Sequence, residues 1–165
     1  MLSVIACKFA RFSLRLLGRG GTDFPGRVAL KLCPGVLGEL AKNVTTIIVT
    51  GTNGKTTTVT LLGEIFKNAG RTTHVVGNIG TPYSGAVPGM RAGDVTVCEI
   101  SSFMMETSSK FHPSVSAVLN ISEDHLNRHG TMENYALTKM RMFQNMTETD
   151  VAVFNADDPA LGQQL

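Results

Sequence analysis

The stretch Thr50-Gly51-Thr52-Asn53-Gly54-Lys55-Thr56-Thr57-Thr58 carries the strongest chemical signal in the chain. Gly51 and Gly54 let the backbone curl until several N–H groups point inward, a cradle for phosphate oxygens in which Thr52, Asn53 and Thr57 also sit. A helix that starts just beyond adds its positive N-terminal end. In such a loop Lys55 reaches the β- and γ-phosphates of a nucleotide, and the Thr56 hydroxyl ligates Mg²⁺. The spacing departs from GxxxxGK[ST] at one place, where Val49 stands at the first glycine position. The plainer alternative is a glycine turn capping an ordinary helix. The order apolar strand, GxxGKT turn, amphipathic helix favours the phosphate loop.

Further polar residues fall where short apolar runs end. Glu99 closes the run DVTVCE, and a carboxylate there can hold Mg²⁺ directly or through water. Its alternative is a solvated strand terminus. The stretch Asn120 to Gly130 (NISEDHLNRHG) packs carboxylates, two histidines and an arginine behind another run. There His125 could ligate a second metal and Arg128 could clamp a phosphate or a substrate carboxylate. Asn78, in the turn Asn78-Ile79-Gly80-Thr81-Pro82, could bind substrate or cap the turn. Lys139 falls four residues after Tyr135 on one helical face, and by itself reads as a solvated helix lysine.

The elements that must position these groups alternate along the chain. Val44–Thr50, Thr73–Gly77, Asp94–Ile100, Val115–Ile121 and Asp150–Asn155 read as short apolar strands, rich in β-branched residues. Lys55–Ala69 reads as a helix with Val59, Leu62, Ile65, Phe66 and Ala69 on its inner face and Gly70 as its stop. Glu133–Gln144 reads as a second helix, burying Tyr135, Leu137 or Met140, and Phe143. Strand–helix alternation predicts an α/β fold, a parallel sheet covered by helices. Ligands then bind beyond the carboxyl ends of the strands, after Thr50, Glu99, Asn120 and Asn155.

A chain of 165 residues with 42% hydrophobic and 17% charged residues is a globular composition, which excludes disorder and collagen-like repeats. No apolar run approaches the roughly 20 residues of a membrane span. Cys7, Cys33 and Cys98 are too few and too scattered for a disulfide framework or a zinc ribbon, which fits a reducing cytoplasm. Seven basic and two acidic side chains fall in residues 1–42, against eight and eleven in residues 43–165, so the two parts carry +5 and −3. Leu2, Ile5, Phe9, Phe12 and Leu16, with Lys8, Arg11 and Arg15, form an amphipathic basic helix pattern. It could lie on an anionic membrane, dock on a partner, or pack on its own domain, the last being the plainer reading. The segment 18–26 after it reads as a loop. No nucleic-acid partner is expected.

The motifs VTGTNGKTTT, GNIGTP, EISSFMMETSS, LNISEDHLNRHGTMENY with Lys139 behind it, and FNADDP, in this order from about Val44 to Pro159, resemble the central ATPase domain of the Mur ligases. In that family the missing glycine at Val49 is normal. The resemblance implies a P-loop NTPase-like fold, ATP and Mg²⁺ as cofactors, and roles for single residues. Lys55 and Thr56 would hold phosphates and metal, and Glu99 would ligate the metal. His125 and a carbamylated Lys139 would serve a second Mg²⁺. Asn78, Ser101 and Ser102 match positions near the nucleotide-sugar substrate. The chain differs from the family pattern at Met104 and Asn127, where Gln and Asp are usual.

The D-glutamate-adding members are the most similar. This implies an ATP-dependent acid–amino-acid ligase of peptidoglycan precursor synthesis, joining D-glutamate to UDP-N-acetylmuramoyl-L-alanine through an acyl phosphate. Residues 1–43 form a basic leader, and 44–165 a central domain expected to be incomplete at its C-terminal end. The UDP-binding and C-terminal domains of the family have no counterpart in the residues given, so the fragment alone is expected to be inactive. The leader, RLLGRGGTDFPGRVALKL in particular, instead resembles the Mur-ligase-like subunit of a lipid II amidating enzyme, which would need a glutaminase partner. A catalytically inactive nucleotide-binding module is the third alternative.

Overall fold

The computed structural model describes residues 43–162. The leader, its helix pattern, the loop at 18–26, Cys7 and Cys33 lie outside the described residues. Five strands form one parallel sheet in the order β2-β3-β1-β4-β5. In chain order, β1 (Thr45–Thr50) leads into helix α1 (Lys55–Asn68), followed by β2 (Thr73–Gly77). A one-turn helix α2 (Tyr83–Ala86) and a 3-10 turn (Val87–Gly89) precede β3 (Val95–Glu99). Helix α3 (Ser102–Met105), β4 (Val115–Val118), α4 (Leu126–His129) and α5 (Met132–Met140) come next. A 3-10 turn (Arg141–Phe143), β5 (Val151–Phe154) and α6 (Pro159–Gly162) close the described chain.

The strand alternation feeds two cores, one on each face of the sheet. Ile47 and Val49 point to the side covered by α1, where Val59, Leu62 and Phe66 pack with Val95 and Val97. Ile48 points to the other side, where Val76, Cys98 and Val118 meet Tyr83 of α2, Met105 of α3, Tyr135 and Ala136 of α5, and Leu161 of α6. This is the doubly covered parallel sheet that the alternation implied. Cys98 is buried within it as a free thiol, and burial pushes its pKa up. No helix among the described residues is long and apolar enough to cross a membrane.

Several expected boundaries move. On α1 the inner face is Val59, Leu62, Gly63 and Phe66, while Ile65 and Ala69 are exposed. β3 omits Asp94, whose carboxylate bonds the His74 ring at 2.8 Å and the Arg91 N–H at 2.9 Å. β4 ends at Val118, because Asn120 turns to the loop after β1 and the Ile121 N–H bonds Asp158 at 2.9 Å. Ile121 stays buried, so its apolar character marked the core and not the strand. The helix expected at Glu133–Gln144 starts one residue earlier at Met132, capped by the Thr131 hydroxyl, and tightens into the 3-10 turn after Met140. Leu137 faces solvent. β5 is an edge strand with Val151 and Val153 exposed.

Candidate functional site

β1 lies centrally, flanked by β3 and β4, so the ends of all three strands meet at one rim of the sheet. The chain leaves β1 at Thr50 and enters α1 at Lys55. Gly54 is the N-cap, in the left-handed region at φ 79°, which glycine adopts without strain. No side chain caps this helix and no acidic residue stands in its first turn. The first N–H groups of α1, which have no partner within a helix, are therefore left to an anion, with the helix dipole behind them. Lys55 folds back on its own loop, Nζ donating to the carbonyls of Gly51 at 2.9 Å and Thr52 at 2.7 Å.

Glu99, at the end of β3, is only 2% exposed, and both its oxygens are engaged. The Thr56 hydroxyl donates to Oε2 at 2.7 Å, and the Asn78 amide donates to Oε1 at 2.8 Å. Asn78 also donates its backbone N–H to the Glu99 carbonyl at 2.9 Å. β2 and β3 approach so closely here that a Cβ on Gly77 would lie 2.2 Å from the Glu99 carbonyl oxygen. The turn residue Asn78 thus fixes the carboxylate's rotamer. A hydroxyl and a carboxylate side by side are hard oxygen donors of the kind Mg²⁺ accepts. Among the described residues no cluster of three or more His, Cys, Asp or Glu could cage a metal.

Lys139 corrects its expectation as a solvated residue. It is 2% exposed, because Tyr135, Ala136 and Lys139 share the inner face of α5. Its Nζ donates to the Gly51 carbonyl at 2.9 Å and lies 4.6 Å from the centre of the Tyr135 ring. Burial, helped by the Lys55 ammonium and opposed by Asp124, pushes its pKa down to about 8. Tyr135 is a site residue that sequence reasoning took only for core. Its hydroxyl lies 3.4 Å from Thr52 Oγ1, and burial raises its pKa. The four-residue spacing from Tyr135 to Lys139 was the signal that could have found the pair.

The remaining candidates gather at a second, more open part of the rim. The Ser101 hydroxyl caps α3 by accepting the Met104 N–H at 3.4 Å. Ser102 is buried, its Oγ 3.0 Å from His129 Nε2. His125 adopts left-handed backbone at φ 53° before α4, with Nε2 3.4 Å from Asp124 Oδ2 and its ring 4.8 Å from that of Phe103. Arg128 places its fork on Glu106, at 2.8 and 2.5 Å, and its guanidinium 4.8 Å from the Phe103 ring centre. His129, not singled out by its sequence context, stacks between Phe103 and Tyr135, and burial lowers its pKa. The structure therefore brings Thr56, Glu99 and Asn78 together, and Lys55 with Lys139, and sets His125 and Arg128 around Phe103.

A parallel sheet whose central strand feeds an uncapped helix through a glycine loop, with a lysine at the loop's end and a carboxylate on the adjoining strand, defines an α/β domain with the layout of a phosphate loop. Residues 49–165 match the Mur ligase middle domain, and the chain belongs to the Mur ligase family. The UDP-N-acetylmuramoylalanine--D-glutamate ligase of Pelotomaculum thermopropionicum is 60% identical over 113 residues, 68% of this chain and 25% of that protein. The enzyme of the same name from Clostridioides difficile is 52% identical over 120 residues, 73% of this chain and 27% of that protein. The chain thus spans about a quarter of the length of these curated relatives. Among solved structures, a MurF ligase from Thermotoga maritima in complex with ADP matches at a TM-score of 0.65 and 27% identity, covering 82% of this chain and 34% of that one.

Proposed function

We propose that this chain supplies the ATP-handling part of a ligase that joins D-glutamate to UDP-N-acetylmuramoyl-L-alanine, an amide-forming step of peptidoglycan precursor synthesis in the cytoplasm. The observation that carries the reading is the open N-terminus of α1 beside the Thr56–Glu99 pair. The identity to D-glutamate ligases over the same residues supports the choice of reaction.

On nucleotide binding, the Lys55 ammonium exchanges the Gly51 and Thr52 carbonyls for β- and γ-phosphate oxygens, which are stronger, charged acceptors. Thr56 and Glu99 would hold Mg²⁺, whose charge neutralises that of the phosphoryl group. Asn78 keeps Glu99 in place for this task. The substrate carboxylate attacks the γ-phosphorus, the bond to ADP breaks, and an acyl phosphate results. The amine of the amino acid then attacks the acyl carbon, phosphate leaves, and the nitrogen loses its proton to give the amide. Most of the catalytic work is positioning and charge neutralisation.

Lys139, with a pKa near 8, has an accessible neutral amine. Its lone pair can attack CO₂, forming an N–C bond and releasing one proton, which turns a buried cation into a carbamate. In this reading the carbamate and His125 serve a second Mg²⁺, and Ser101, Ser102 and Arg128 face the UDP-linked substrate. The test is a ligase of the relatives' full length carrying this chain, given ATP, Mg²⁺, UDP-N-acetylmuramoyl-L-alanine and labelled D-glutamate. Labelled amide and phosphate in equal amounts are expected. Incorporation of another amino acid or of ammonia instead would overturn the choice of substrate, and no ATP cleavage with any acceptor would overturn the ligase reading.

A further inference from the structure

The sequence placed Asn120 only near the carboxyl end of the expected strand Val115–Ile121. It leaves β4, the neighbour of β1, and its carboxamide fills the inside of the phosphate loop. Oδ1 accepts the N–H of Asn53 at 2.8 Å and that of Thr52 at 3.0 Å, while Nδ2 donates to the Asn53 carbonyl at 3.1 Å. The Asn120 backbone carbonyl accepts the same Thr52 N–H at 2.9 Å. Two N–H groups converging on one atom and a carbonyl facing the other fix which end of the amide is oxygen. Two residues further along, the Thr52 hydroxyl accepts the Ser122 N–H at 2.9 Å and donates to the Ser122 carbonyl at 3.1 Å.

These bonds divide the N–H groups of the loop. Those of Thr52 and Asn53 turn toward β4 and are committed to Asn120. Those of the first turn of α1 stay open, because the helix has no side-chain cap. We propose that Asn120 is a positioning residue of the phosphate site: it holds the first half of the loop against β4, so that phosphate meets the amides at the start of α1 already in place. The inference rests on the reading that this loop takes nucleotide phosphates. Holding the loop beforehand removes an ordering cost that binding would otherwise carry. A carboxamide suits the place because its oxygen accepts two N–H groups while its separate nitrogen donates to a carbonyl, on one short side chain. Asp keeps the acceptor and loses the donor, and Ala loses both.

Two measurements on the full 165-residue chain decide it. The first is amide hydrogen exchange at Thr52 and Asn53 without nucleotide, in wild type, Asn120→Ala and Asn120→Asp. The Asn53 amide should exchange about tenfold faster or more in the Ala variant and stay protected in the Asp variant, which retains the acceptor, while Thr52, which keeps the Asn120 backbone carbonyl, should change less. The second is calorimetric titration with ADP and with inorganic tripolyphosphate. The Ala variant should lose about tenfold in affinity for both probes, a split that a general loss of stability would not give while the melting temperature without ligand is unchanged. Equal exchange in Ala and wild type overturns the hold on the loop. Faster exchange with unchanged affinity overturns the positioning role. If wild type binds neither probe, the nucleotide reading itself fails and the positioning role falls with it, whereas the exchange result still judges the grip of Asn120 on the loop.

Discussion

The two parts of the candidate site are built differently. Around the phosphate loop, most of the site's polar groups are held by another element: Thr56 and Asn78 by Glu99, Lys139 by Gly51, Thr52 and Asn53 by Asn120. Of the charged groups there, Glu99 and Lys139 are almost fully buried and Lys55 is partly buried. Around Phe103, by contrast, the His125 side chain is 47% exposed and that of Arg128 50%, on a helix of only four residues. The first part takes its geometry from three adjacent strand ends, whose positions the parallel register fixes relative to one another. The second takes its geometry from a short helix and surface ion pairs, which stabilise a fold weakly. In the proposed reading, the sheet prepares the chemistry of phosphate handling, and the open part is where a substrate can still shape its surroundings.

Substitutions can break this contrast. The largest effect is expected from Lys139→Ala in a ligase of full length: turnover should drop on the order of a thousandfold, as when a charge-stabilising group is removed from an active site. ADP binding should persist, because Lys55 and the open first turn of α1, which take the phosphates in this reading, are untouched. Loss of ADP binding in this variant, read by calorimetry, would mean that Lys139 belongs to the loop's support and not to turnover. Next, Glu99→Gln should retain fold and both side-chain contacts while the Mg²⁺ concentration for half-maximal activity rises about tenfold or more, since a neutral amide replaces a charged oxygen donor. An unchanged Mg²⁺ dependence would remove Glu99 from the metal.

A smaller effect concerns stability against pH. Lys139 has its pKa lowered from 10.5 to about 8, so between those values the unfolded chain binds more protons than the folded one. Stability therefore rises with pH across that window through this group, and the cost of the buried charge is fully present below pH 8. Tyr83 and Tyr135, both raised by burial, act in the opposite direction above the ordinary tyrosine pKa of 10.0. Urea unfolding of Lys139→Met should lose the rise between about pH 8 and 10, and a variant with the same slope as wild type would argue against a buried ammonium. The smallest effect belongs to the open part. Arg128→Ala should lower stability by about 1 kcal/mol or less, a value for exposed ion pairs, read from the urea midpoint. A larger loss would show that this part is as firmly built as the loop.

Much of this was legible in the residues. The parallel sheet, the glycine turn before α1 and the place of Glu99 at a strand end follow from apolar runs that end in polar residues, because strand ends in such a sheet share one rim. Lys139 was not legible from its type and helical position alone, since a lysine on a helix is usually solvated. Only the packed α5, with Tyr135 and Ala136 inward, shows that the same face carries Lys139 to the Gly51 carbonyl. Asn120 was hidden for a related reason. The apolar pattern runs on to Ile121, so the turn at Asn120 looked like strand, and its carboxamide's three bonds to the loop depend on a neighbouring strand far away in sequence. Arg128 read as a clamp, and the structure sets its fork on Glu106. Partner choice among exposed charges is a matter of tertiary placement, which spacing does not encode.

The central claim is that residues 51–57 receive nucleotide phosphates through the open start of α1 and Lys55. Calorimetric titration of the chain with ATP at millimolar Mg²⁺, in wild type and Lys55→Ala, tests it most directly. Saturable binding by wild type and a loss of about a hundredfold or more in the variant are expected for removal of a charge-assisted contact to phosphate. No binding by wild type, or equal affinity in both proteins, would contradict it.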